Sequence, residues 1–139
     1  MHIINKIIIE KVNIENKFNN IEQLKKFYYK DYDVGMGVAS SLITYTRNPD
    51  LDLEKFQKII SNLIESSIDV YVNLKGFLEK KNFNELHLFN GRYSELRAAF
   101  RAAQSLKINS FIYEYGSENN KYEIFENNLP HNIKYITSL

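Results

Sequence analysis

Asn90-Gly91-Arg92 is the stretch of this 139-residue chain whose residue types are best suited to chemistry. Asn90 offers an amide that both donates and accepts, and Gly91 lets the backbone approach a ligand closely. Arg92 brings a planar, permanently charged fork that matches carboxylate or phosphate. Glu114-Tyr115-Gly116 is the second candidate group, at the end of another strand. A helix beginning just after Arg92 adds partial positive charge at the same spot. Together these residues describe a pocket for an anion or a sugar acid. The plainer alternative stays open: Asn-Gly is a common turn dipeptide, and Arg92 has Glu95 and Glu114 as possible ion-pair partners.

Both groups must be positioned by strands. Leu86 to Phe89 is a short apolar strand, Ser94 to Lys107 reads as a helix, and Ser110 to Tyr115 is a second strand ending at Gly116. Strand, helix and strand at this spacing make a βαβ unit, which implies parallel strands and a right-handed crossover. Ligands of open parallel sheets bind beyond the carboxyl ends of the strands, and both candidate groups occupy such ends. The expected class is therefore α/β: a single Rossmann-like, three-layer lobe over residues 1–139 with a short parallel sheet and the βαβ unit at about 85–115.

Elsewhere, Ile3 to Val12 reads as a strand, Ile21 to Tyr29 as a short amphipathic helix, and Tyr122 to Phe125 as a further small strand. Gly35 and Gly37 suggest a tight turn opening a helix over Val38 to Thr46. Asn48-Pro49-Asp50 is a helix-start signal. Apolar residues from Phe56 to Leu78 then keep helical spacing, so a long helix is expected at about 51–80, spanning roughly 45 Å and kinking or breaking near Gly76.

Several other residues invite a chemical reading and carry a structural one beside it. Gly35-Met36-Gly37 before a helix suggests a phosphate-cradling loop but lacks the Lys-Ser/Thr and the third glycine of the known fingerprints. Asp31 and Asp33 form a possible acid/base pair or simply precede a helix. Ser40 and Ser41 read as helix-packing residues, and His87 as structural within its strand. His131, in a loop after Pro130, is free to serve a ligand. Three scattered histidines give no metal constellation, and no metal or cofactor is implied.

Composition narrows the classes. Lys plus Arg is 18 and Asp plus Glu is 17, a net charge of +1, too little to hold a protein on nucleic acid by bulk charge. No cysteine means no disulfide, no thiolate zinc site and no Cys nucleophile. The longest uncharged run, Val34 to Thr46, is too short for a transmembrane segment. Met1 to Asn13 lacks the cleavage site of a signal peptide. A cytoplasmic location follows, with peripheral membrane association possible. Three of the 4 Arg (Arg92, Arg97, Arg101) and four of the 5 Ala (Ala98, Ala99, Ala102, Ala103) fall in one short segment. The alanines are expected to permit close packing of helix on sheet, and Arg97 and Arg101 to form a solvated face or ion pairs.

The segments Leu88-Phe89-Asn90-Gly91-Arg92, Glu95-Leu96-Arg97-Ala98-Ala99, Tyr113-Glu114-Tyr115-Gly116, Lys121-Tyr122 and Leu129-Pro130-His131 resemble the N-terminal part of bacterial capsule and surface-polysaccharide glycosyltransferases. Val34 to Leu42 is similar to the part preceding the long helix in such proteins, and the likeness runs from about residue 30 to 132. It implies the acceptor-side lobe of a two-lobed, GT-B-like transferase whose donor-binding lobe is absent, truncated and not active alone. It places Asn90, Arg92, Glu114 and His131 on the cleft side, with Glu114 as the catalytic carboxylate. The implied partners are a sugar acceptor or nucleotide sugar and a second lobe or subunit. A non-catalytic module binding a sugar, a nucleotide or a partner chain is the alternative. A remnant whose exposed surface needs a missing partner is the third.

Overall fold

The computed structural model describes residues 17–118, 120–130 and 132; the expected strand at Ile3 to Val12 and His131 lie outside them. Four helices and three strands follow in order: α1 (Ile21–Lys25), α2 (Val34–Thr46), a 3-10 turn (Leu53–Phe56) leading into α3 (Gln57–Lys81), β1 (Glu85–Phe89), α4 (Ser94–Ser105), β2 (Asn109–Tyr115) and β3 (Tyr122–Glu126).

The helix boundaries have local causes. Asn20 caps α1, its Oδ1 accepting from the Gln23 amide at 2.9 Å. Asp52, rather than the Asn48-Pro49-Asp50 signal, starts the long-helix region by accepting from the Glu54 amide at 3.2 Å. The expected break at Gly76 does not occur: α3 runs as one helix to Lys81, because one glycine costs a helix only about 1 kcal/mol and the flanking apolar stripe is packed. The glycines at 35 and 37 also lie inside α2 rather than in a turn before it. Their role is close packing. A Cβ on Gly35 would come 1.8 Å from the Leu24 carbonyl oxygen, and one on Gly37 would come 3.1 Å from Ser94 Cα.

The βαβ unit is present. β1 and β2 pair in parallel, with Leu86 opposite Ser110 and Leu88 opposite Ile112, joined through α4. The sheet is nevertheless mixed. β3 returns antiparallel to β2 across a short hairpin, in which the Gly116 amide donates to the Lys121 carbonyl at 2.8 Å.

The four helices of the described residues lie on one side of this sheet. α4 packs on β1 and β2, and α2 and α3 pack on the other side of α4. The main core joins Leu24, Val38 and Leu42 to Ile60, Ile64, Ile68 and Tyr71 of α3. A smaller core of Phe100, Ile112 and Phe125, with Leu88 and Leu129 against it, glues α4 to the sheet. The alanines of α4 are buried, but Ala98 and Ala102 pack in the main core with α2 and α3 rather than on the sheet as expected; larger side chains would force the helices apart. A mixed α/β fold with a long helix and a three-stranded sheet thus stands. The second helical layer of a three-layer Rossmann-like lobe is not found among the described residues.

Candidate functional site

Asn90 and Gly91 both adopt left-handed backbone conformations, φ +65° and +68°, as the chain turns sharply at the end of β1. Asn tolerates this region better than most residues and Gly pays nothing for it. The Asn90 side chain then braces the turn, its Oδ1 accepting from the Arg92 amide at 3.0 Å. Its Nδ2 donates to Glu114 Oε2 at 2.5 Å, so the two strand ends expected to share one crevice do meet. Glu114 Oε1 also accepts from the Tyr115 amide at 3.0 Å. The carboxylate expected to move protons is therefore engaged by its own strand end and by Asn90. Gly91 turns its open side inward: a Cβ there would lie 2.9 Å from Leu129, so the close approach it allows is to Leu129.

Arg92 turns to its neighbour. Its guanidinium carbon sits 4.9 Å from the centre of the Tyr93 ring and Nη2 donates to Tyr93 Oη at 2.7 Å, which lowers the Tyr93 hydroxyl pKa. Its Nε is buried without a hydrogen-bond partner.

Of the two arrangements expected for Arg97 and Arg101, a solvated face or ion pairs, the structure has ion pairs, and the partner is Asp33. Arg97 Nη2 donates to Asp33 Oδ2 at 2.7 Å. Arg101 adds a two-pronged contact, Nε to Oδ1 at 2.8 Å and Nη2 to Oδ2 at 2.9 Å. Burial alone would push the Asp33 carboxyl up, but the bonds from Arg101 and Arg97 outweigh it and hold the group at about 2. Asp31 belongs to a different contact, accepting from Tyr71 Oη at 2.8 Å; the two acids do not form a pair. Ser41 serves the helix that follows Arg92: its Oγ accepts from the Ser94 amide at 3.0 Å, supplying from α2 the cap that Tyr93 lacks.

The three guanidinium groups line one cavity of about 530 Å³, bounded by α2, α4 and the segment after β3. Met36, Phe100 and Leu129 give it apolar walls, and Asn127, Asn128 and Asn132 close its far side. The clustering of Arg in the sequence is the signal that could have located this cavity, although Arg97 and Arg101 are expected there only as a solvated face or ion pairs; the asparagines, from a segment with no helix or strand pattern, gave no signal. Among the described residues no His, Asp or Glu group could hold a metal ion, and no helix is long and apolar enough to cross a membrane.

The opposite face of the sheet is a second candidate. Alternation in the strands puts His87, Phe89, Phe111, Tyr113, Tyr115, Tyr122 and Ile124 on the side away from α4. His87 stacks on Phe111 at 5.0 Å, and Tyr115 meets Phe89 at 5.0 Å and Tyr122 at 5.5 Å. Tyr115, Tyr122 and Ile124 are each more than half exposed. His87, expected within the strand interior, is exposed on this face and hydrogen-bonds Tyr113 Oη at 2.9 Å.

No protein-family model and no solved structure matches the chain. It is similar to a curated protein of the yeast Debaryomyces hansenii described as "Probable kinetochore protein NDC80", 31% identical over 129 residues. The match takes in 91% of this chain and 18% of that protein, so the chain spans less than a fifth of its relative's length. This overturns the expected membership among bacterial capsule and surface-polysaccharide glycosyltransferases, and with it the acceptor-side-lobe function: the similarity found is to a eukaryotic kinetochore protein and not to a transferase.

Proposed function

We propose that the chain is a protein-interaction module that receives a partner protein on the aromatic face of its sheet, which no described helix covers. The observation that carries this reading is the contiguous row of exposed Phe89, Tyr115, Tyr122 and Ile124, with all four described helices on the other side. Contiguous exposed apolar surface marks an interaction site in soluble proteins, and aromatic residues are enriched where interfaces bury their centres. The similarity to a kinetochore protein supports a part in a protein assembly.

Charge narrows the partner. Glu85 and Glu126 stand on this face at the start of β1 and the end of β3. The matching occupant is an apolar segment of another protein flanked by Lys or Arg. The test is an NMR titration with a synthetic peptide of alternating leucine and serine carrying lysines at its ends. Saturable shifts at Phe89, Tyr115 and Ile124, abolished in Tyr122→Glu/Ile124→Glu with the helical content intact, are expected. No saturable shift, equal binding of a glutamate-flanked peptide, or self-association through the same face would each overturn the reading.

A further inference from the structure

The cavity on the helical side is chemically unlike the aromatic face. Arg97 is only 8% exposed, yet its Nε has no hydrogen-bond partner, and the Nε of Arg92 is buried and unpartnered as well. Leaving a buried charged donor unsatisfied costs about 1–3 kcal/mol or more; both atoms are closed off from solvent, so what a ligand in the cavity meets is the rest of the Arg92, Arg97 and Arg101 side chains and not these two nitrogens. Three guanidinium groups line the space, and the carboxylate paired with them is Asp33, held by Arg97 and Arg101. Three positive charges thus stand in a lining that includes no Asp or Glu among the described residues.

We propose that this cavity binds a phosphomonoester group. Such a group carries a charge of about −1.5 to −2 at neutral pH and three acceptor oxygens, which suits a lining of three guanidinium-bearing residues. A single carboxylate supplies half the charge. Asp33 contributes by fixing the planes of Arg97 and Arg101 before the ligand arrives, which reduces the ordering cost of binding. Asn127, Asn128 and Asn132 line the side after β3 with their amides engaged by Asn109, Ser110, the Leu129 amide and one another, and Phe100 and Leu129 offer the group that carries the phosphate an apolar wall. A volume of about 530 Å³ lies within the range of small-molecule sites, about 300–1,000 Å³.

Calorimetric titration at low ionic strength tests this, using inorganic phosphate, glycerol phosphate, a phosphoserine peptide and acetate in separate arms. Saturable one-to-one binding of glycerol phosphate or of the phosphoserine peptide supports the site, and the tighter of the two identifies its source. Affinity is expected to rise as pH increases through the second phosphate ionisation near about 6. Arg92→Gln leaves the Asp33 pairs intact and is expected to weaken binding about tenfold and to remove the phosphate-induced rise in Tm. No saturable phosphate binding, acetate binding as tightly as phosphate, or unchanged affinity in Arg92→Gln would overturn the proposal.

Discussion

Arg97 donates to Asp33 at 2.7 Å across 64 positions of chain, with side chains only 10% and 11% exposed. The contact ties the entry to α2 onto the middle of α4, and Arg101 completes it from the next turn. Breaking a buried pair by removing one partner strands the other charge, at a cost of about 3–5 kcal/mol. Asp33→Asn is expected to lower unfolding stability by about that amount, read from the urea midpoint at unchanged m.

The same carboxylate sets an acid limit. Its folded pKa of about 2 lies below its ordinary value of 3.8, so ionised Asp33 favours the folded state. That contribution is fully present above the unfolded pKa and is lost as pH falls through about 4 towards 2. The stability gap between the native chain and Asp33→Asn is therefore expected to be constant at neutral pH and to close progressively below pH of about 4. Urea unfolding of both proteins across that window checks it; a gap that stays constant down to pH of about 2 would contradict the assignment.

What the sequence made legible was local. The βαβ unit, the long helix and the alanine packing follow from periodicities of 2 and 3.6 and from side-chain size, all carried by neighbouring residues. The meeting of Asn90 with Glu114 followed from the parallel-strand rule applied to two strand ends. Three things were hidden. Arg97 and Arg101 announced an ion pair, but nothing local identifies Asp33, more than sixty positions earlier, as their partner. The aromatic residues of β1, β2 and β3 alternate as any half-buried strand would, so the pattern does not tell which face helices cover. Asn127, Asn128 and Asn132 read as loop and became a cavity wall only through the path of the chain after β3. The transferase resemblance rested on residues such as Asn90, Gly91 and Leu129, whose present contacts brace a turn and a small core.

Gly35 and Gly76 are expected to respond in opposite ways to the same substitution. A Cβ at 35 meets the Leu24 backbone oxygen at 1.8 Å, whereas one at 76 meets nothing within 4 Å. Gly35→Ala must push α1 away from α2 and is expected to cost about 1–3 kcal/mol or more, as overpacking does. Gly76→Ala removes backbone entropy from the unfolded chain within a continuous helix and is expected to stabilise by about 0.5–1 kcal/mol. Thermal unfolding of the two variants distinguishes these outcomes, and a loss of stability in Gly76→Ala would contradict an unbroken α3.

Asn90 does two jobs that substitution can separate. Its backbone holds φ +65°, and its side chain bonds both Glu114 and the Arg92 amide. Asn90→Gly keeps the backbone unstrained and loses only the side-chain bonds, a cost of about 1–2 kcal/mol. Asn90→Ala loses the same bonds and adds left-handed strain of about 1–2 kcal/mol, so it should be the more damaging of the two. Asn90→Asp keeps an acceptor for the Arg92 amide but sets a second carboxylate against Glu114, trading an attractive bond for like-charge repulsion. The expected stability order is native, then Gly, then Ala, measured by urea unfolding, with Asp below Gly at neutral pH and recovering part of its deficit in high salt, which screens the repulsion. Equal losses for Gly and Ala would mean that the turn relaxes out of the left-handed region, and the strand ends would then not be held together as described.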